Sequence, residues 1–208
     1  MKKLVAIVAG EPNSISSEII AKAWKKIKNK NNLFVIGNYL LLKKQISKIG
    51  IKIKISQINS INEIENNNKL NVLDVPYKFK SIFESNFVNT KKYVFKCLDI
   101  AHSLSSKKKI KAFINAPIDK KIFNNKYLGV TEFLANKNKI KENVIMMIYN
   151  KKLSVVPLTT HLEIKDVDRK IKFKTIKAKI FVLNNSYKKL FKNKPKIAVL
   201  GLNPHNSE

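Results

Sequence analysis

Glycine is scarce in this chain, five residues in 208, and their spacing excludes two familiar nucleotide sites. No G-x-G-x-x-G fingerprint is present, and no glycine is followed by Lys and then Ser or Thr, so there is neither a conventional Rossmann dinucleotide loop nor a P-loop. The single cysteine, Cys97, excludes an internal disulfide and a cysteine-based zinc cluster. It stands in Tyr93-Val94-Phe95-Lys96-Cys97-Leu98, an apolar helical pattern that predicts a buried structural thiol. Long apolar runs are also missing: Met1 to Gly10 is too short to span a bilayer, has no small-residue cleavage site and is interrupted by Glu11-Pro12. A soluble, cytoplasmic protein is the expectation.

Acidic residues are few, 14 against 42 basic ones, giving a formal charge of +28. Such a charge invites a nucleic-acid reading, because cations gain affinity by releasing phosphate counterions. Two features argue against specific nucleic-acid binding. Arg169 is the only arginine, so the planar guanidinium fork that reads base edges and phosphates is nearly absent. The lysines, moreover, run from Lys2 to Lys196 without a dominant block.

What the chain does have is Lys (41), Ile (28) and Asn (25). All three have A/T-rich codons, so nucleotide bias accounts for them together, whereas nucleic-acid binding accounts for one. The charge still favours anionic small molecules through long-range steering. Hydrophobic residues make up 44% of the chain, enough for a proper core and too many for wholesale disorder.

Short apolar runs alternate with helical patterns. Leu4 to Ala9 reads as a buried strand running into Gly10-Glu11-Pro12. Ser16 or Ser17 can cap the following helix, which carries Ile19, Ile20, Ala23, Trp24 and Ile27 at helical spacing. Leu33 to Gly37 predicts a strand, Tyr39 to Ile49 a helix closed by Gly50, and Ile51, Ile53 and Ile55 a strand with one wet face. Asn71 to Val75 is a further strand and Asn86 to Ser103 a long amphipathic helix. Lys111 to Asn115 is the next strand, with Pro117 suited to a helix's first turn. Beyond it come a short helix from Thr131 to Ala135, strands at Val144 to Tyr149 and Leu153 to Leu158, one long helix from Asp166 to Leu190, and a strand at Lys196 to Leu200. This alternation predicts an α/β sheet sandwiched between helices. No repeat or linker marks an internal boundary within residues 1–208.

Open α/β sheets bind ligands in loops that follow strands. Thr159-Thr160-His161 follows one predicted strand and Asn203-Pro204-His205 another, so two of the three histidines stand at strand ends. Neutral imidazoles there suit zinc or a similar divalent metal and leave coordination positions open for a substrate; ordinary loop histidines are the alternative. His102 reads as a solvated position near a helix end. In Asn115-Ala116-Pro117-Ile118-Asp119-Lys120, Lys120 could meet a phosphate or carboxylate, although chance alone places many lysines in this chain. Gly129-Val130-Thr131-Glu132-Phe133 offers a hydroxyl and backbone N–H groups at a helix start, either as an anion cradle or simply as a cap by Thr131.

Taken in order, these segments resemble one family. The apolar strand into Gly10-Glu11-Pro12, then Asn115 to Lys120, Gly129 to Phe133, Val144-Ile145-Met146-Met147, Thr159-Thr160-His161-Leu162 with Asp166-Val167, and Gly201-Leu202-Asn203-Pro204-His205 are similar to the 4-hydroxythreonine-4-phosphate dehydrogenases of vitamin B6 biosynthesis. The resemblance implies an isocitrate/isopropylmalate dehydrogenase-like α/β/α sandwich and a homodimer. It implies NAD-dependent oxidation of a phosphorylated hydroxy amino acid, 4-phosphooxy-threonine, with loss of CO2 to give 3-amino-2-oxopropyl phosphate. It also implies a divalent metal (Zn, Mg or Co) held in part by His161 and His205, with Thr131 and Lys120 binding substrate.

Three departures stand beside that resemblance. Val130 occupies the place of the family's histidine in G-H-T-E. In the first loop, Asn13-Ser14-Ile15-Ser16-Ser17-Glu18 lacks both inner glycines and the second proline of the family pattern, which predicts strain or reshaping there. The family also continues past Asn-Pro-His to a third histidine ligand and cofactor-binding residues, so the chain reads as a C-terminally truncated, N-terminal portion with impaired turnover. The alternatives are a non-catalytic remnant that keeps a metal- or anion-binding site and, last, a basic nucleic-acid-binding domain.

Overall fold

The computed structural model describes residues 4–28, 30, 32–65, 68–84, 86–123, 126–140, 144–160, 162–203 and 205. Residues 1–126 and 127–208 form two compact units. The division after Lys126 differs from the expectation of no internal boundary. Its sequence gives little sign of it because the same Lys- and Asn-rich composition runs through the junction, and the nearest glycine, Gly129, stands at the start of the next helix.

The first unit is built on five parallel strands: β1 (Val5–Val8), β2 (Leu33–Gly37), β3 (Ile55–Ile58), β4 (Leu70–Asp74) and β5 (Ala112–Asn115). Their order across the sheet is β3-β4-β2-β1-β5. Continuous apolar sequences such as Leu33-Phe34-Val35-Ile36 suit a parallel sheet because both of its faces are covered. One face packs under α1 (Ser16–Lys26) and α2 (Tyr39–Lys48), where Ile20, Trp24, Leu42 and Ile46 meet Val35, Leu70 and Val72. Each large side chain buried there contributes about 1.5–3 kcal/mol relative to exposure. Phe34 and Ile36 alternate with Val35 and so point to the opposite face, the side of α3 (Phe87–Ser106), with its buried Val94, Cys97 and Leu98. The Asn86 side chain caps α3 by accepting the Asn89 N–H at 3.2 Å. Gly50, at φ +73°, ends the α2 region as the sequence predicts.

Three expectations change in this unit. Ser16 and Ser17 lie inside the first turn of α1 and are buried, with Ile15 at the capping position and no side-chain cap. The wet-faced strand at Ile51 to Ile55 begins only at Ile55, since β4 is in register with Ile55 to Ile58, and ahead of them the Leu70 N–H donates to the Lys54 carbonyl at 2.8 Å. Pro117 starts no helix: its carbonyl accepts the Glu11 N–H at 3.1 Å, which commits it to the first loop, and helical geometry appears only as a 3-10 turn at Lys120–Phe123.

The second unit contains α4 (Val130–Lys137), a 3-10 turn at Ile164–Asp166, α5 (Val167–Lys170) and α6 (Phe173–Phe191). The single helix expected from Asp166 to Leu190 is broken because Ile171 and Lys172 are extended. Val144 to Tyr149 and Leu153 to Leu158 meet at one antiparallel bridge, Ile148 to Val155, rather than forming strands. Lys196 to Leu200 is not a strand either, and Leu200 is 88% exposed. In each case the apolar run finds no neighbouring strand among the described residues of its unit, and an isolated run cannot close a ladder. No helix among the described residues is long and apolar enough to cross a membrane.

Candidate active site

Strand order locates the candidate site. From β1 the chain moves to β2 and on toward β4 and β3, then returns to place β5 on the other side of β1. The loops after β1 and β5 therefore leave the sheet at its topological switch point, where open α/β sheets form a ligand crevice at the carboxyl ends of the strands. These are the loops of Gly10-Glu11-Pro12 and Asn115 to Lys120.

The two loops are tied together. Besides the Glu11 N–H to Pro117 bond, the Asp119 N–H donates to Glu11 Oε2 at 3.0 Å. Gly10 has φ +76°, and a Cβ at this position would lie 2.6 Å from the Pro117 oxygen and 2.8 Å from Ser16 Oγ. Only glycine meets both the left-handed backbone and the close approach. The Ser14 hydroxyl donates to the Glu11 carbonyl at 2.6 Å and accepts the Ser16 N–H at 3.2 Å. No residue from Asn13 to Glu18 has positive φ, so the strain expected from loss of the family's inner glycines is not found; serine hydroxyls close the loop instead.

Behind the loops lies a buried polar lattice that the sequence reading missed. Asn38 follows β2 and donates its backbone N–H to Tyr93 Oη at 2.8 Å, while its amide donates to the Val75 carbonyl at 3.1 Å and accepts the Leu41 N–H at 2.9 Å. Asp74 Oδ1 accepts the Tyr39 N–H at 2.7 Å. Gln45 Nε2 donates to the Pro12 carbonyl at 2.8 Å and so anchors the first loop to α2. The void among Gly10, Ser16, Asn38, Gln45 and Tyr93 is about 10 Å³, room for at most one water. The signal for this lattice was Asn38 itself, an N-cap residue directly before an apolar helix.

Of the predicted site residues, Lys120 is exposed at the start of the 3-10 turn that follows the second switch-point loop. Thr131 lies in the second unit, in the first turn of α4. It does not cap the helix: Gly129 holds the capping position and no side chain caps it. Val130 begins the same helix. His205 is exposed in a turn where its N–H donates to Asn203 Oδ1 at 3.0 Å. His161 lies outside the described residues. Leu158, just before the Thr159-Thr160-His161 segment, is held by Lys179 of α6, whose Nζ donates to its carbonyl at 2.7 Å. Partial burial lowers the Lys179 pKa. Nothing distinguished this lysine in a sequence with 41 of them. Among the described residues no three His, Cys, Asp or Glu side chains gather as a metal site, and His161 stands outside that comparison.

The parallel sheet, with two hydrogen-bonded loops at its switch point, defines an open α/β fold of the class that binds ligands beyond the carboxyl ends of its strands. Residues 29–208 match the family described as pyridoxal phosphate biosynthetic protein PdxA, and the chain belongs to that family. It is 35% identical over 211 residues to the 4-hydroxythreonine-4-phosphate dehydrogenase of a Sulfurihydrogenibium species, covering 98% of this chain and 64% of the relative. It is 34% identical over 215 residues to that of Aquifex aeolicus, covering 100% of this chain and 65% of the relative. Among solved structures, one described as a putative 4-hydroxythreonine-4-phosphate dehydrogenase from Salmonella typhimurium superposes with a TM-score of 0.88 at 27% identity, covering all of this chain and 66% of that one. The chain thus spans just under two thirds of the length of these curated relatives.

Proposed function

We propose that this chain supplies part of a dehydrogenase acting on 4-phosphooxy-threonine, which oxidises the hydroxyl with NAD and releases CO2 to give 3-amino-2-oxopropyl phosphate for vitamin B6 biosynthesis. The observation that carries the reading is the tying of the Gly10-Glu11-Pro12 loop to the Asn115-to-Lys120 loop at the switch point, within a chain whose relatives bear that enzyme's name. In this reading Lys120 attracts the substrate's phosphate or carboxylate as a flexible point charge, and Thr131 donates a hydroxyl hydrogen bond to the substrate. The backbone N–H groups of the first turn of α4, which lack a side-chain cap, add donors for an anion. A divalent cation held in part by His161 and His205 would supply Lewis acidity at the reacting hydroxyl, and NAD would take up the hydride. The assembly is a homodimer in the cytoplasm.

Val130 cannot donate the hydrogen bond of the histidine that the family pattern has at this place. We therefore infer that the chain by itself turns over little or no substrate. NADH formation by the purified chain with 4-phosphooxy-threonine, NAD and a divalent metal tests this, and robust turnover would overturn the inference of impairment. A second reading, a non-catalytic remnant, is favoured by Val130 and the altered first loop.

A further inference from the structure

A second concavity, of about 370 Å³, opens on the first unit between the segment after β4 and one face of α3. It shares no residue with the Gly10-Glu11-Pro12 or Asn115-to-Lys120 loops. Lys78 comes from the segment after β4; Asn89, Lys92 and Lys96 come from α3, at spacings of three and four that put them along one helix face. No carboxylate lines it, and among the described residues none of the three lysines forms an ion pair. Lys92 and Lys96 are like charges one turn apart, an arrangement that costs a few tenths of a kcal/mol until an anion neutralises it.

The floor is rigid. Tyr93 is buried and its hydroxyl accepts the Asn38 N–H, while Tyr77 packs its ring against Tyr93 at 4.8 Å between centroids and hydrogen-bonds through its hydroxyl to Thr90 at 3.0 Å. Lysine clusters arise readily in a chain with this composition. That three lysines line one hollow, with an amide beside them and no acid, is the feature that composition does not supply. The volume lies at the lower end of the range for small-molecule sites, which fits a compact ligand rather than a polymer. Three ammonium groups call for more than one negative charge, and ammonium groups serve phosphate as point-charge donors.

We propose that this groove is a binding site for a small phosphorylated anion carrying two or more negative charges, separate from the switch-point site. The probe is pyrophosphate, titrated calorimetrically into the full 208-residue chain at physiological ionic strength, with inorganic phosphate as the smaller comparison. The expected result is saturable one-to-one binding of pyrophosphate. It should weaken by about tenfold or more in the Lys92→Gln/Lys96→Gln variant, as loss of charge-assisted contacts requires. It should stay within about twofold of the parent in Lys25→Gln/Lys26→Gln, which removes the same charge from the end of α1. Lys92→Arg/Lys96→Arg should keep most of the affinity, separating loss of charge from damage to α3. Non-saturable uptake, or equal weakening in both glutamine variants, would show nothing more than attraction to a +28 protein and would overturn the proposal.

Discussion

The Glu11 carboxylate accepts the Asp119 backbone N–H at 3.0 Å, joining residues 108 positions apart at the ends of adjacent strands β1 and β5. This contact makes the two switch-point loops one unit. Replacing Glu11 with Ala removes a charged acceptor, worth about 1 kcal/mol at a partly exposed site. The Asp119 amide should then exchange its hydrogen with solvent faster, while amides in β1 keep their protection. Unchanged exchange at Asp119 would mean that the bond does not hold the loop.

Two glycines separate backbone strain from crowding. Gly10 and Gly50 have nearly the same positive φ, +76° and +73°, but a Cβ at Gly10 would press on Pro117 and Ser16, whereas one at Gly50 meets nothing within 4 Å. Gly50→Ala should cost about 1–2 kcal/mol, the price of the left-handed conformation alone. Gly10→Ala should cost clearly more, read as a larger drop in the urea midpoint. Equal losses would show that the loops relax around the added methyl.

Tyr93→Phe tests the polar lattice. The Asn38 N–H loses its acceptor in a buried position, which costs about 1–3 kcal/mol. Urea denaturation should show that loss with an unchanged slope, because the core volume is nearly preserved.

Stability should fall in alkali for a traceable reason. Burial pushes the Cys97 thiol from 9.0 up to about 12, so the folded chain keeps it protonated while the unfolded chain releases the proton. A raised acid pKa contributes stability that is fully present below the unfolded value and is lost as pH climbs through the window from 9.0 to about 12. Burial raises the buried Tyr93 hydroxyl as well, extending the trend. Unfolding midpoints measured across that window should decline less steeply for Cys97→Ala than for the parent. Parallel slopes would assign the decline to lysine deprotonation instead.

The histidine pair is tested without turnover. Cobalt titration followed by its visible absorption should saturate for the parent chain, and His161→Ala and His205→Ala should each weaken it by about tenfold or more. Histidine-independent uptake would overturn the histidine metal site and would fit only a remnant that has lost it.

The first unit was largely legible in the sequence because its strands are covered on both faces. Leu33 to Gly37 and Asn71 to Val75 match β2 and β4 to within a residue, and α3 begins beside Asn86, where the amphipathic pattern starts. The second unit was much less legible. Leu153 and Val199 carry the apolar signature of strands yet are 73% and 59% exposed, since a strand needs a neighbour that its own sequence does not encode. The break at Ile171 and Lys172 carries no glycine or proline, and the helical pattern runs straight through it. At the candidate site the loops were visible as motifs. The hydrogen bonds joining them were not, because Glu11 and Asp119 come together only through strand order.

That strand order also sets a timetable. β1 lies between β2, which follows it closely in the chain, and β5, which comes far later. Between Gly37 and Asn115 a ribosome must add roughly 80 residues, about 4 to 16 s at ordinary elongation rates. Throughout that interval the nascent β1 has one edge without its eventual partner, a template for pairing with other chains. In a cell, the growing polypeptide thus passes through a vulnerable stage whose length is set by translation speed, and the two loops of the site meet only when β5 ends it.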